Sequence, residues 1–326
     1  MTGKKIAHKF ASDVDENYSH IFPSRSTFRE SFDFSQSFRS VRPPMTQTRF
    51  SLPQARGFLK TERKDQWWIV PILVLAGLGG FVIYSTWAAF QGQNFFLGGV
   101  NQPGVQQLLS PFYSPVLWDP RGIHSGHAWL GELPAWWPAW LLFSPALLIL
   151  PFPAGFRFTC YYYRGAYYKA FWGDPASCSV GEPAFRGENY RGEQKFPLIF
   201  QNIHRYFLYV AILFIGLLFW DAFESFWHHN ADGTLGFGIS VGTIVLVLNP
   251  CFLSLYTFGC HCMRHLVGGK HDCLSCSKSR LSTYNRVSWL NQRHMLFAWI
   301  SLFGVAFADI YVRMCASGTW TDWRIL

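Results

Sequence analysis

Residues 291–316 read NQRHMLFAWISLFGVAFADIYVRMCA. A polar, basic start ends at His294, and from Met295 the run carries no charge until Asp309. About 20 helical residues cross the hydrocarbon of a bilayer. Met295–Met314 is therefore predicted to span a membrane, with an imidazole at its threshold. Asp309 and Arg313 stand four apart near the far end, the spacing of an ion pair on one helix face.

Four more segments have the same character: Trp67–Phe90, Trp136–Phe158, Tyr206–Phe223 and Leu235–Phe258. The fold class expected is all-α, a polytopic membrane protein with five transmembrane helices. Pro71, Pro138, Pro145, Pro151 and Pro153 interrupt the first two spans, which membrane helices tolerate when neighbours satisfy the freed backbone. Trp67, Trp68, Trp136, Trp137, Trp140 and Trp227 cluster near span ends, as an interfacial belt does.

Charge sets the orientation. The segment before the first span holds 12 Lys/Arg, and the 92–135 connection holds only Arg121. Arg164, Lys169, Arg186, Arg191 and Lys195 lie between the second and third spans, and the 225–234 turn has no Lys or Arg. Arg264, Lys270, Lys278, Arg280, Arg286 and Arg293 precede the fifth. The alternation predicts a cytoplasmic N-terminus and a multi-pass protein of the inner (cytoplasmic) membrane. The net charge of +9 follows membrane topology, and with no recognition motif beside it, nucleic acid is not an expected partner. No cleavable signal segment is visible in residues 1–65.

Those residues form the first of two regions: a cytoplasmic N-terminal arm at 1–65, then a five-helix anchor domain at 66–326. The arm reads as a disordered tail or as a strap for a soluble partner. Phe10, Phe22, Phe28, Phe32, Phe34 and Phe38 are unusual in a solvated tail.

Candidate ligands gather on the cytoplasmic side. Cys160 lies where the second span leaves the bilayer, and Cys260 where the fourth does. His204 opens the third span and His294 the fifth. In an alternating bundle these four share one depth. Two sulfurs and two imidazoles at one level suit a [2Fe–2S] cluster of Rieske type, whose neutral imidazoles raise its potential above that of an all-thiolate cluster. Each residue alone has a plainer reading, since cysteine is a common core residue and an interfacial histidine usually serves packing. The coincidence of four carries the argument. Cys178, His261, Cys262 and His265 compete for the same role, with Cys178 and His265 as the reserves.

His261 and His265, four apart, could instead bind haem b with His204 and His294. A stacked haem pair would need His124, His127, His228 or His229 on the outer side. Cys273 and Cys276 form a C-x-x-C, with Cys262, His265 and His271 nearby. No second such pair accompanies it, so a loop knuckle or surface thiols are expected rather than a zinc site, and disulfides are not expected on this face. Arg164, Arg205, Arg264 and His265 are the polar candidates for a quinone pocket walled by the Tyr161–Tyr163 and Tyr167–Tyr168 phenols. No ionisable group sits mid-span to line a transport path. A scaffold without cofactor is the remaining rival.

Together the motifs resemble the cytochrome b-like membrane-anchor subunit of succinate dehydrogenase, respiratory complex II, in its five-span, haem-free class with a membrane-embedded Rieske-type cluster. The resemblance covers about residues 67–326. It rests on Cys160-Tyr161-Tyr162-Tyr163-Arg164 with Ala166-Tyr167-Tyr168, Asp174-Pro175-Ala176-Ser177-Cys178, and Phe196-Pro197-Leu198-Ile199. It continues through Gln201-Asn202-Ile203-His204-Arg205-Tyr206, Cys260-His261-Cys262-Met263-Arg264-His265-Leu266, Asn291-Gln292-Arg293-His294-Met295, and Ala308-Asp309-Ile310-Tyr311-Val312-Arg313. It implies two soluble partners, a flavoprotein that oxidises succinate and an iron–sulfur subunit. It also implies quinone as electron acceptor, a place in the respiratory chain and tricarboxylic acid cycle, and a ligand set of two Cys and two His.

Overall fold

The computed structural model describes residues 64–99, 102–118, 130–131, 136, 144–173, 199, 203–269 and 273–326. The predicted arm, save Lys64 and Asp65, and Cys178 lie outside them.

The protein is mostly helical. Among the described residues four helices are long and apolar enough to cross a membrane: α1 (Ile69–Gln91), α5 (His204–Glu224), α6 (Val241–Phe258) and α9 (His294–Ala316). At about 1.5 Å per residue each matches the hydrocarbon thickness. α1 is largely exposed on the outside of the bundle, with Leu78, Ala88 and Ala89 turned inward. The second predicted span is represented by a shorter apolar stretch, α2 (Pro145–Ile149) and α3 (Pro151–Phe158). The turn at Leu150 separates them, and Pro145 and Pro151 each sit in a first helical turn, where a missing N–H costs nothing. Residues 137–143 of that prediction lie outside the described part.

The fourth predicted span starts later than Leu235. Leu235–Phe237 is β4, paired antiparallel with β3 (Trp227–His229), Trp227 opposite Phe237. Ser240 then starts α6 with a capping box: its hydroxyl accepts from the Thr243 amide and the Thr243 hydroxyl accepts from the Ser240 amide. Glycines at 233, 236 and 238 favour a hairpin over an earlier helix start. A second hairpin, β1 (Phe96–Leu97) with β2 (Leu108–Leu109), lies at the same end of the bundle. Bridges from Gln106 to His228 and from Ser240 to Arg324 knit the two hairpins and the C-terminus together.

Among the described residues, three shorter helices gather at the opposite end: α4 (Tyr161–Phe171), α7 (His261–Gly268) and α8 (Lys278–Gln292). α9 packs most extensively on α6; α6 also packs on α5, α5 on α3, and α1 on α4. Gly155 sets the α3–α5 approach, because a Cβ there would meet the Phe207 ring at 2.5 Å. The chain direction alternates, so α3 and α6 end where α5 and α9 begin.

The expected ion pair forms: Arg313 Nε donates to Asp309 Oδ2 at 2.7 Å, with both side chains buried. The hydroxyls of Tyr84 and Ser110 also bond Asp309, and Arg313 reaches the carbonyls of Gln93 and Ala88 at 3.0 Å each.

Candidate metal centre

Two cysteines occupy matching elbows. Cys160 joins α3 to α4 with φ −64° and ψ 133°; Cys260 joins α6 to α7 with φ −67° and ψ 147°. Each is extended and each offers its carbonyl to the fourth residue on, Arg164 N at 2.9 Å and Arg264 N at 3.2 Å. The elbow turns the thiol inward, and both are 2% exposed. The two histidines are first residues of long helices, His204 of α5 and His294 of α9.

Sulfur meets imidazole in two pairs. His204 Nε2 lies 3.0 Å from Cys260 Sγ, and His294 Nε2 lies 3.4 Å from Cys160 Sγ. Rings link the pairs: Phe156 stacks on His204 at 4.7 Å, Tyr256 stacks on His294 at 4.9 Å, and Phe156 meets Tyr256 edge-on at 5.6 Å. Both sulfurs belong to one buried cluster.

Thr159 fixes one tautomer. Its hydroxyl donates to the Gly155 carbonyl at 2.7 Å and lies 2.7 Å from His204 Nδ1. With its proton committed, the oxygen accepts from Nδ1–H. The lone pair is then on Nε2, the nitrogen that faces sulfur, as a metal ligand requires.

Cys262 is the near competitor. Its sulfur, that of Cys260 and a ring nitrogen of His204 all lie within 4.8 Å of one another. A hydrogen bond from Cys260 holds the Cys262 thiol down to about 7, helped by the charge of Arg205. The same bond, with burial, pushes the Cys260 thiol up; burial pushes up that of Cys160. Such thiols stay protonated until a cation displaces the proton.

Of the other residues named from the sequence, His265 and His261 are exposed on α7 and face each other, Nε2 to Nε2, at 3.0 Å. Arg264 lies over the Tyr284 ring at 5.2 Å and Arg164 over Tyr161 at 4.8 Å; Arg205 is exposed. These basic residues are spread over the surface at this end. Cys273 and Cys276 are joined as a disulfide, where free thiols or a loop knuckle were expected. Three positions apart, they lie with Cα atoms 5.6 Å from each other, within normal bridging reach. His271 lies outside the described residues.

Sequence reasoning missed Arg157, Thr159 and Tyr256. A largely apolar cavity of about 560 Å³ opens between α1, α3 and α4, walled by Leu78, Phe81, Leu150, Phe158 and Phe171, with Arg157 and Tyr163 among its polar members. Arg157, three residues before Cys160 in an otherwise apolar helix, was the available signal.

Residues 69–318 match the family described as actinobacterial succinate dehydrogenase subunit SdhC. No curated protein matches. A chain of the Mycobacterium smegmatis Sdh1 complex, solved in the apo form, is similar at 38% identity with a TM-score of 0.70, over 89% of this chain and 98% of that one. With most of its length inside the family match and four spanning helices, the chain belongs to the actinobacterial SdhC family, as a multi-pass membrane subunit of succinate dehydrogenase that is not catalytic alone.

Proposed function

We propose that the chain carries electrons as well as anchoring its complex, through a [2Fe–2S] cluster of Rieske type held by Cys160, Cys260, His204 and His294. The observation that carries this is the double Cys–His pairing at one end of the bundle. The donor set fits the group: two thiols and two imidazoles in a largely buried cluster, one imidazole locked with Nε2 facing sulfur. When bound, such a centre supplies a one-electron relay. The remaining elements of the reading are five crossings, with α2 and α3 completing the second, and a cytoplasmic N-terminus in the cytoplasmic membrane. The basic end of the bundle docks the soluble iron–sulfur and flavoprotein subunits, and a quinone is the acceptor. The 560 Å³ cavity beside Arg157 is the favoured quinone site; Arg164, Arg205, Arg264 and His265 are the alternative contacts on the inner surface.

Electron paramagnetic resonance of the dithionite-reduced complex tests the cluster. The expected result is a Rieske-like signal, one centre per chain, lost in His204→Ala and His294→Ala and kept in Cys262→Ser. A signal surviving both histidine changes overturns the ligand assignment. Sharp alpha bands of reduced haem in the optical spectrum would replace it with haem b, and iron near zero with a scaffold.

A further inference from the structure

The guanidinium of Arg157 lies where the cavity and the metal centre meet. Nη1 donates to Tyr163 Oη at 2.7 Å and to the Ala298 carbonyl at 3.3 Å, and Nη2 donates to Ser301 Oγ at 3.1 Å. Arginine offers five N–H donors, so two remain unused among the described residues. No carboxylate pairs with it among those residues. On one side it lines the 560 Å³ cavity. On the other its carbon lies 4.8 Å from the centre of the Tyr256 ring, the ring that stacks on His294. The backbone ties it to the site as well, since Cys160 N donates to Arg157 O at 3.2 Å.

Charge bookkeeping shows what a cation there does. Two ferric ions, two sulfides, two thiolates and two neutral imidazoles sum to zero, and one added electron makes the centre a monoanion. A nearby fixed cation favours that form, more strongly in a low-dielectric surround than in water. Reduction of a quinone takes two electrons, delivered one at a time, and two protons from the aqueous side. As electrons arrive, negative charge builds on the carbonyl oxygens, where an N–H donor helps most.

We infer that Arg157 is a positioning residue serving both redox partners: its free N–H groups hold a quinone carbonyl at the inner end of the cavity, and its charge raises the reduction potential of the adjacent centre. Tyr163 and Ser301 hold the guanidinium in place. The Tyr163 phenol already donates its proton to Ala298 O at 2.7 Å, so it acts as a brace. The inference rests on the cluster and quinone reading above and adds a role to a side chain outside the ligand set.

The test is a redox titration of the cluster signal in the assembled complex, with steady-state quinone kinetics alongside. Arg157→Gln should keep the spin count and line shape. It should lower the midpoint by the equivalent of a tenfold change in equilibrium, about 59 mV for one electron, and raise the quinone KM at least tenfold. Arg157→Lys keeps the charge and loses the fork, so its potential should stay near that of the parent while KM still rises. Unchanged potential and unchanged KM in both variants overturn the inference. Should Arg157→Gln fail to assemble, the lysine variant still decides, because an unchanged KM there removes the quinone contact. A parent complex with no Rieske-like signal defeats the cluster reading instead, and the KM comparison then judges the quinone role alone.

Discussion

Thr159 shows how much one hydroxyl can decide. It sits between the Gly155 carbonyl and His204 Nδ1 and so dictates which ring nitrogen is left bare. Partners of this kind, one bond beyond the ligands, are worth about 10–100-fold in metal affinity. Thr159→Val keeps the shape and removes the acceptor, leaving a buried N–H unpaired at a cost of about 1–3 kcal/mol. The expected outcome is cluster occupancy at least tenfold lower at limiting iron, read by spin count per chain, with the SdhC subunit still present in the complex. Thr159→Ser should restore most of it. This residue was invisible in the sequence, because a threonine at a helix end has many uses and only the folded α3 brings it under the α5 imidazole. The placement of Cys160, Cys260, His204 and His294 was legible, since helix periodicity and span length fix which residues fall at span ends. Which sulfur faces which nitrogen was not, because that depends on how α3, α5, α6 and α9 cross.

Among the elements, α3 is the one whose position the centre depends on most. It is short and proline-punctuated, and it approaches α5 closely only because residue 155 has no side chain. Gly155→Val places atoms inside the Phe207 ring, an overpacking that costs about 1–3 kcal/mol. Phe156 and Thr159 ride on the same helix, so the shift reaches His204 directly. The expected outcome is loss of the cluster signal together with a lower melting temperature. Gly216→Ala on α5, where a Cβ would meet nothing within 4 Å, should leave both unchanged. The α6 boundary carries a second prediction. Ser240→Ala removes the hydroxyl that accepts from the Thr243 amide, one half of the capping box, and should cost about 1 kcal/mol, measured as thermal stability in detergent. The sequence misplaced that boundary because β4 is only three residues long, too short for its alternation to register beside an apolar run. The second span was the hardest to read, since hydropathy ignores the break at Leu150, where Pro151 starts a new helix.

Across the whole molecule, the two ends of the bundle have different work. One end holds sulfur and imidazole; the other is closed by two hairpins and by the Asp309–Arg313 pair with Tyr84 and Ser110 on the same carboxylate. That network joins α9 to α1 and to the hairpin connection. Asp309→Ala leaves the buried Arg313 guanidinium without its carboxylate, and breaking a buried pair from one side costs about 3–5 kcal/mol. The expected outcome is a marked fall in melting temperature, with the line shape of any cluster signal in surviving protein unaltered. The pair itself was readable from spacing four on one helix; its extra hydroxyl partners were not, because they come from positions about 200 or more residues away in sequence.

Cys160 and His294 stand 134 positions apart, yet their donor atoms meet at 3.4 Å. A growing polypeptide that has not yet inserted its last long helix can therefore offer only three of the four proposed iron ligands. On the proposed ligand set, iron delivery would wait until synthesis is nearly finished, and any truncated product ending before α9 should reach the bilayer colourless.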